Sequence, residues 1–235
     1  MRLNKHISES GFCSRREADR LISEGRVLLN GQRPGVGAQV EEGDKVVIDG
    51  QELRKRAPGA KKHVYIALNK PTGITCTTEA HVKGNIVDFV GHQQRIFPIG
   101  RLDKDSEGLI LLTSNGDIVN EILRSENNHE KEYLVGVNKA VTDEFLRGMA
   151  GGVRIHGQMT KPCKVRRIAK FGFSIILTQG LNRQIRLMSE ALGYKVTQLR
   201  RVRIVNVTLG HLKAGTWRNL SEAELRGLLP QRTDW

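Results

Sequence analysis

The apolar positions of the chain follow two rhythms, and the change from one to the other divides it. Near the start the spacing is helical: Leu3 and Ile7 share a face before Gly11 stops the run, and Ala18, Leu21 and Ile22 form a second stripe. Ser14-Arg15-Arg16-Glu17 precedes that stripe. It has the form of a capping box, in which a hydroxyl and a carboxylate satisfy free N–H groups at a helix start. Val27-Leu28-Leu29 then runs into Asn30-Gly31, a hairpin turn signal because both residues accept positive φ. A turn at Glu41-Glu42-Gly43-Asp44 leads into Val46-Val47-Ile48. The pattern predicts two short helices followed by a small sheet.

Residues 54–62 hold charge, Pro58 and Gly59 but no apolar period, which reads as a basic linker. The organisation expected is therefore a small unit over 1–53, the linker, and a larger unit over 63–235. In the larger unit Val64, Ile66 and Leu68 alternate, as do Tyr133, Val135 and Val137, and Phe173, Ile175 and Leu177. Leu109 to Leu112 is a continuous apolar run, the pattern of a buried central strand. Asn182 is placed to cap a helix reaching Leu192, with Ile185, Met188 and Ser189 inward and Gly193 as its stop. The strand after it carries Arg201, Arg203, Val205 and Val207, read as one face. Ser221-Glu222-Ala223-Glu224 starts a last helix that ends before Pro230. Strands and helices mix without a regular βαβ alternation, so the fold class expected is α+β.

Charge changes the picture more than length does. The chain of 235 residues carries 38 Lys and Arg against 25 Asp and Glu, a net +13. The first 62 residues hold 13 basic and 9 acidic side chains and the remainder 25 and 16, so both units are basic. That balance points to a polyanion, and structured RNA is the partner expected. In the first unit Arg15, Arg16 and Arg20 fall on the helix face away from the apolar stripe. With Arg2 and Lys5 of the preceding helix, and Arg26, they form the expected RNA-binding set there. No stretch approaches the ~20 apolar residues of a membrane span, and the three cysteines (Cys13, Cys76, Cys163) form no C-x-x-C pair. A cytoplasmic, monomeric protein with no membrane partner is expected. P-loop, G-x-G-x-x-G and H-E-x-x-H motifs are all missing from the sequence, so no metal and no cofactor is expected.

Three segments can carry chemistry. In Gly100-Arg101-Leu102-Asp103 an extended backbone projects Arg101 and Asp103 to one side. A cation beside a carboxylate keeps it ionised, as a nucleophile or base needs. In Glu130-Lys131-Glu132-Tyr133, Tyr133 sits on a strand among charges, as a stacking platform for a base or as half-buried sheet filler. In Gly180-Leu181-Asn182-Arg183-Gln184-Ile185-Arg186, Arg183 and Arg186 share a face near a helix start, a phosphate-binding arrangement or a solvated helix face. Arg200, Arg201 and Arg203 follow closely. Asp103, Asp105 and Glu107 also admit a rival reading as Mg²⁺ ligands of a nuclease, against which Arg101 and Lys104 stand among them.

These motifs resemble a known family. Ser14-Arg15-Arg16-Glu17-Ala18 with Gly25-Arg26-Val27-Leu28-Leu29-Asn30-Gly31 resembles an S4 domain, a small module that binds structured RNA. Asn69-Lys70-Pro71-Thr72-Gly73, Pro98-Ile99-Gly100-Arg101-Leu102-Asp103, Lys131-Glu132-Tyr133 and Gly180-Leu181-Asn182-Arg183-Gln184-Ile185-Arg186 resemble, in order, the four motifs of the RsuA branch of the pseudouridine synthases. The resemblance implies a long mixed, largely antiparallel sheet flanked by helices around a cleft. It implies isomerisation of uridine to pseudouridine without a cofactor in ribosomal RNA, with 23S rRNA first and tRNA as the alternative. It implies Asp103 as the reacting carboxylate, Tyr133 stacked on the base, and Arg186 paired with the aspartate. Arg101 and Arg183 would hold the displaced nucleotide or its phosphates, and Lys70-Pro71 would be structural, shaping the cleft floor, with Lys70 also counted among the RNA-binding residues. A noncatalytic RNA-binding or ribosome-assembly factor is the rival from another class.

Overall fold

The computed structural model describes residues 1–53, 63–123 and 128–232. The expected linker, 54–62, lies outside the described residues. The chain forms two compact units, Met1–Lys62 and His63–Trp235.

In the first unit α1 (Leu3–Glu9) and α2 (Arg15–Ser23) lay the two predicted apolar stripes against β1 (Val27–Leu29) and β2 (Val46–Ile48), which pair antiparallel and are extended by β3 (Gln51–Glu52). Leu3, Ile7, Ala18, Leu21, Ile22, Val27, Val46 and Ile48 make one core. Only half of the first capping box closes: Ser14 Oγ accepts the Glu17 N–H at 3.1 Å, while the Glu17 carboxylate turns to Arg20. Asn30 and Gly31 do adopt positive φ, 52° and 82°. The two-residue turn closes, Leu29 and Gln32 exchanging both backbone hydrogen bonds at 2.8 and 3.0 Å, but no strand extends from that bridge, and the strand partner of β1 is β2, on the far side of residues 30–45. Pro34 and Gly35 stand just past the turn, and proline lacks the N–H that a ladder needs. Asn30 instead bridges the gap, its amide bonding Asp44 at 2.9 Å and accepting the Lys45 N–H at 2.9 Å.

The second unit is built on a nine-stranded sheet. Its main path runs β10 (Lys164–Ala169), β11 (Gly172–Leu177), β7 (Lys131–Val137), β12 (Val196–Ile204), β6 (Glu107–Thr113), β4 (Tyr65–Lys70), β14 (Trp217–Asn219). β5 (Phe97–Ile99) pairs with β6, and β13 (Val207–Thr208) with β12. All these pairings are antiparallel except β12 with β6 at the centre. A separate hairpin, β8 (Arg154–Ile155) with β9 (Gln158–Met159), lies outside the sheet.

On one half, Val135, Val137, Phe173, Ile175 and Leu177 pack under α5 (Asp143–Gly151) and α6 (Gln184–Ala191), through Phe145, Met149, Ile185 and Met188. On the other half both faces are covered, and β4 is buried from end to end. Val64, Ile66 and Leu68 therefore do not alternate with solvent. Tyr65 and Ala67 face a core shared with α4 (Ile118–Leu123) and α7 (Glu222–Leu228), and Ile66 and Leu68 one shared with α3 (Ile86–Val90). Two apolar sets of opposite parity are interleaved in this strand, which a period of two alone does not reveal. The last helix opens on a complete Ser221–Glu224 capping box.

Two local features aim side chains into the centre of this unit. Gly108, φ +103°, is where β6 meets β12; a Cβ there would sit 2.2 Å from the Arg201 carbonyl oxygen. Only glycine allows that approach. On β12 the register against β7 slips, with Arg201 opposite Tyr133 and Arg203 opposite Glu132. This bulge takes up Val202 and corrects the expectation that Arg201 and Arg203 share a face. Val205, φ +52°, belongs to the turn after β12.

Candidate active site

Asp103 follows β5 in a short turn that leads into β6. Leu102 is buried and its N–H donates to Cys76 Sγ at 3.4 Å. The Ser106 N–H closes the turn on the Asp103 carbonyl at 3.0 Å, and Ser106 is itself buried. With both ends anchored, the Asp103 side chain is left partly open, 27% exposed.

It opens onto a cleft of about 590 Å³, whose lining includes Arg101, Asp103, Lys131, Tyr133, Arg183 and Arg201. The cleft thus gathers side chains from the turn before β6, from β7, from β12 and from the start of α6. Tyr133 is half-buried and packs against two cores at once, which fixes its ring as part of the wall. Lys131 donates to the His129 carbonyl at 3.1 Å. Burial, with the neighbouring Arg201 charge, pushes its ammonium below the ordinary lysine range.

The cation nearest Asp103 is not the one expected. Arg183 Nη1 lies 3.7 Å from Asp103 Oδ2 and 3.5 Å from Asp105 Oδ1. Arg186, expected to pair with Asp103, instead puts Nη2 3.2 Å from each of Asp105 Oδ2, the Asp105 carbonyl and Ser106 Oγ. It ties down the turn beside Asp103. Arg101 lines the cleft and is exposed, without an ion pair to Asp103. The reason lies in how α6 begins. Arg183 rather than Asn182 is its N-cap residue, in the left-handed region at φ +50° and with no side-chain cap bond. That conformation carries the Arg183 side chain over Asp103 and Asp105.

Two expected RNA contacts are buried. Lys70 has no exposed surface; its Nζ donates to the carbonyls of Pro71 at 2.9 Å and Ile74 at 3.0 Å, holding the loop behind the cleft. Burial lowers its pKa. Arg201 is 4% exposed and donates through Nε to the Leu109 carbonyl at 2.7 Å. Neither can meet RNA phosphates at the surface. Arg203 is engaged by Glu130 and Glu132 at 3.0 and 3.1 Å, and Arg200 is partly exposed on β12.

In the first unit Arg2, Arg15 and Arg16 are exposed. Lys5 pairs with Glu9, Arg20 with Glu17 and Glu24, and Arg26 with Asp49 and Glu24. Arg15 and Arg16 make no ion pair among the described residues and are the free cations of that helix face. Among the described residues no group of three or more His, Cys, Asp or Glu side chains is gathered as metal ligands. Asp105, one carboxylate of the nuclease reading, is occupied by two arginines.

Ser106, Gln179 and Leu181 line the site without a role assigned from the sequence, although Leu181 falls inside the fourth motif. They reach it through the β6 turn and the loop before α6, contacts that only the tertiary structure creates.

Chemically, the cleft offers one ionisable carboxylate, an aromatic wall and several fixed cations. Comparison with known proteins places most of the chain in one family. The family model described as RNA pseudouridylate synthase matches residues 64–191, and the S4 domain model matches residues 1–46. The dual-specificity RNA pseudouridine synthase RluF of Shigella flexneri is 59% identical over 225 residues, covering 96% of this chain and 77% of that protein. The ribosomal large subunit pseudouridine synthase B of Bacillus subtilis is 34% identical over 236 residues, covering 97% and 95%. A crystal structure of a pseudouridylate synthase superposes with a TM-score of 0.71 at 28% identity, covering 97% of this chain and all of that one.

Proposed function

The chain belongs to the RNA pseudouridylate synthase family, with an S4 domain ahead of the synthase domain, and from that premise we propose that it isomerises a uridine of large-subunit ribosomal RNA through Asp103. It is an isomerase: the C1′–N1 bond breaks, the uracil turns, and a C1′–C5 bond forms while C5 loses a proton and N1 gains one. Nothing is oxidised or hydrolysed overall. One carboxylate suffices, by adding to the sugar carbon, by adding to the uracil ring, or by taking a sugar proton.

The observation that carries this reading is the position of Asp103: partly open, in a cleft walled by Tyr133, with Arg183 3.7 Å away. Extruding the uridine costs a few kcal/mol. A half-buried ring fixed between two cores offsets part of that by stacking, and Arg101 and Arg183 meet the displaced phosphates. Arg186 acts on Asp103 indirectly, by fixing the Asp105–Ser106 turn. Phosphate contacts give grip, and the loop shape and unstacked base give selectivity. Arg15 and Arg16 supply the grip of the S4 domain.

The Bacillus relative's name supports the large-subunit RNA, and the dual-specificity name of the Shigella relative supports a second RNA, for which tRNA is the candidate. In this reading the protein acts as a monomer. No helix among the described residues is long and apolar enough to cross a membrane; the compartment in this reading is the cytoplasm. The test is to map pseudouridine in unmodified 23S rRNA and in unmodified tRNA after incubation with the protein. A new site in the 23S rRNA is expected. Modification of tRNA alone would overturn the ribosomal assignment.

A further inference from the structure

Among the described residues, Arg201 is a buried cation without a counterion. It lies on β12, the middle strand of the main sheet path, and its side chain lines the cleft although the residue is only 4% exposed. Nε is held by the Leu109 carbonyl, and the guanidinium carbon lies 5.9 Å from the centre of the Tyr133 ring. Nη2 is fully buried and has no hydrogen-bond partner among the described residues. Arg201 also makes no ion pair among them, whereas Arg203, two residues on, has two.

A buried charge is normally paired, and leaving its donor unsatisfied is costly. Here the backbone holds the cost in place. Gly108 lets β6 press against the Arg201 main chain, and the bulge at Val202 sends Arg201 to the cleft face instead of towards Glu130 and Glu132. The protein supplies a fixed, desolvated donor and leaves the acceptor to whatever enters the cleft.

The reaction supplies one. When the C1′–N1 bond breaks, its electron pair leaves with the uracil, and the negative charge is shared among N1, O2 and O4. If a carboxylate adds to the uracil ring instead, the displaced pair moves onto O4. Each route builds charge on a carbonyl oxygen, and a preorganised donor in a dry site acts most strongly where charge develops. A backbone phosphate is a poorer fit to Arg201, because the exposed cations of the cleft are Arg101 and Arg183.

Building on the synthase reading, we propose that Arg201 is a further catalytic residue, whose guanidinium, unpaired at Nη2, donates to a carbonyl oxygen of the extruded uracil as the base fills the cleft and stabilises the charge that forms there.

The test is a cycle between protein and substrate. Single-turnover rates at saturating RNA are measured for wild type, Arg201→Met and Arg201→Lys, on RNA carrying uridine, 2-thiouridine or 4-thiouridine at the target position. Sulfur at the contacted position weakens the hydrogen bond. One of the two thio substitutions is expected to slow the wild type by roughly 10-fold or more. That penalty should shrink towards one in Arg201→Met, persist in part in Arg201→Lys, and leave the Kd for unmodified RNA within about 3-fold. A structural role would slow every substrate alike and give equal penalties in both proteins, which overturns the proposal. Should Arg201→Met fail to fold, the wild type still decides, because indifference to both sulfurs overturns it. Wild type that makes no pseudouridine in its mapped RNA defeats the synthase reading itself, a different outcome from an active enzyme with equal penalties.

Discussion

Asp105 collects Arg186, which the family resemblance pairs with Asp103, and Arg183 beside it. Arg183 and Arg186 both reach it, and among the described residues Asp103 keeps only the longer 3.7 Å ion pair with Arg183. The arrangement suits a reacting group, because a carboxylate locked into short hydrogen bonds is a poor nucleophile, and the neighbour absorbs the pairing instead. Arg186 then works as a clamp on the turn. Arg186→Gln is expected to lower kcat by roughly 10²-fold through misplacement of Asp103, with KM changed far less; a KM effect alone would show that it only binds RNA. Lys70 sits where the structural part of its expected role fits and the RNA contact does not. Its two carbonyl bonds lie behind the cleft, so Lys70→Met leaves acceptors unpaired and should cost about 1–3 kcal/mol of stability. Burial holds its folded pKa below the unfolded value, so folding expels a proton there. The stability contributed at Lys70 therefore rises as pH climbs from the folded pKa to the ordinary lysine value of about 10.4. The gap in Tm between wild type and Lys70→Met should widen as pH rises towards the ordinary lysine value, and a constant gap would contradict this.

Among the elements, the junction of β6 and β12 sets the site. Gly108→Ala adds a Cβ into backbone and imposes positive φ on alanine, so a loss of ~2–5 kcal/mol is expected in thermal or denaturant unfolding. A loss under ~1 kcal/mol would mean the strands separate easily. Much of this scale is legible in the sequence. The stripes of α1 and α2, the continuous run of β6, the alternation in β7 and β11, and the Ser221 capping box all form as their patterns predict. Departures arise where tertiary contact overrides local pattern. The bulge at Val202 depends on the register between β12 and β7, so the facing of Arg201 cannot be read from parity along its own strand. The left-handed Arg183 displaces Asn182 as the cap because loop closure over Asp105, rather than capping preference, decides that backbone. Arg101 and Asp103, which an extended segment would hold side by side, form no ion pair with each other, and Asp103 meets Arg183 from the distant α6 instead.

For the whole molecule, a net charge of +13 over two basic units means that RNA affinity falls steeply with salt. The S4 domain and the synthase domain divide the work, so grip and chemistry should separate by mutation. Arg15→Gln with Arg16→Gln is expected to weaken RNA binding and to flatten the log–log salt slope by about 1–2, leaving the single-turnover rate at saturating RNA unchanged. A large fall in that rate would show that the helix face positions the target as well as holding it.

The central claim is that Asp103 reacts. The measurement that tests it most directly is pseudouridine formation under single-turnover conditions at the mapped site, comparing wild type with Asp103→Asn at matched RNA occupancy. The account predicts complete conversion by the wild type and no detectable pseudouridine with Asp103→Asn, the two proteins binding the RNA equally well. Conversion by Asp103→Asn within about ten-fold of the wild-type rate, only ~1.4 kcal/mol of barrier, would contradict it.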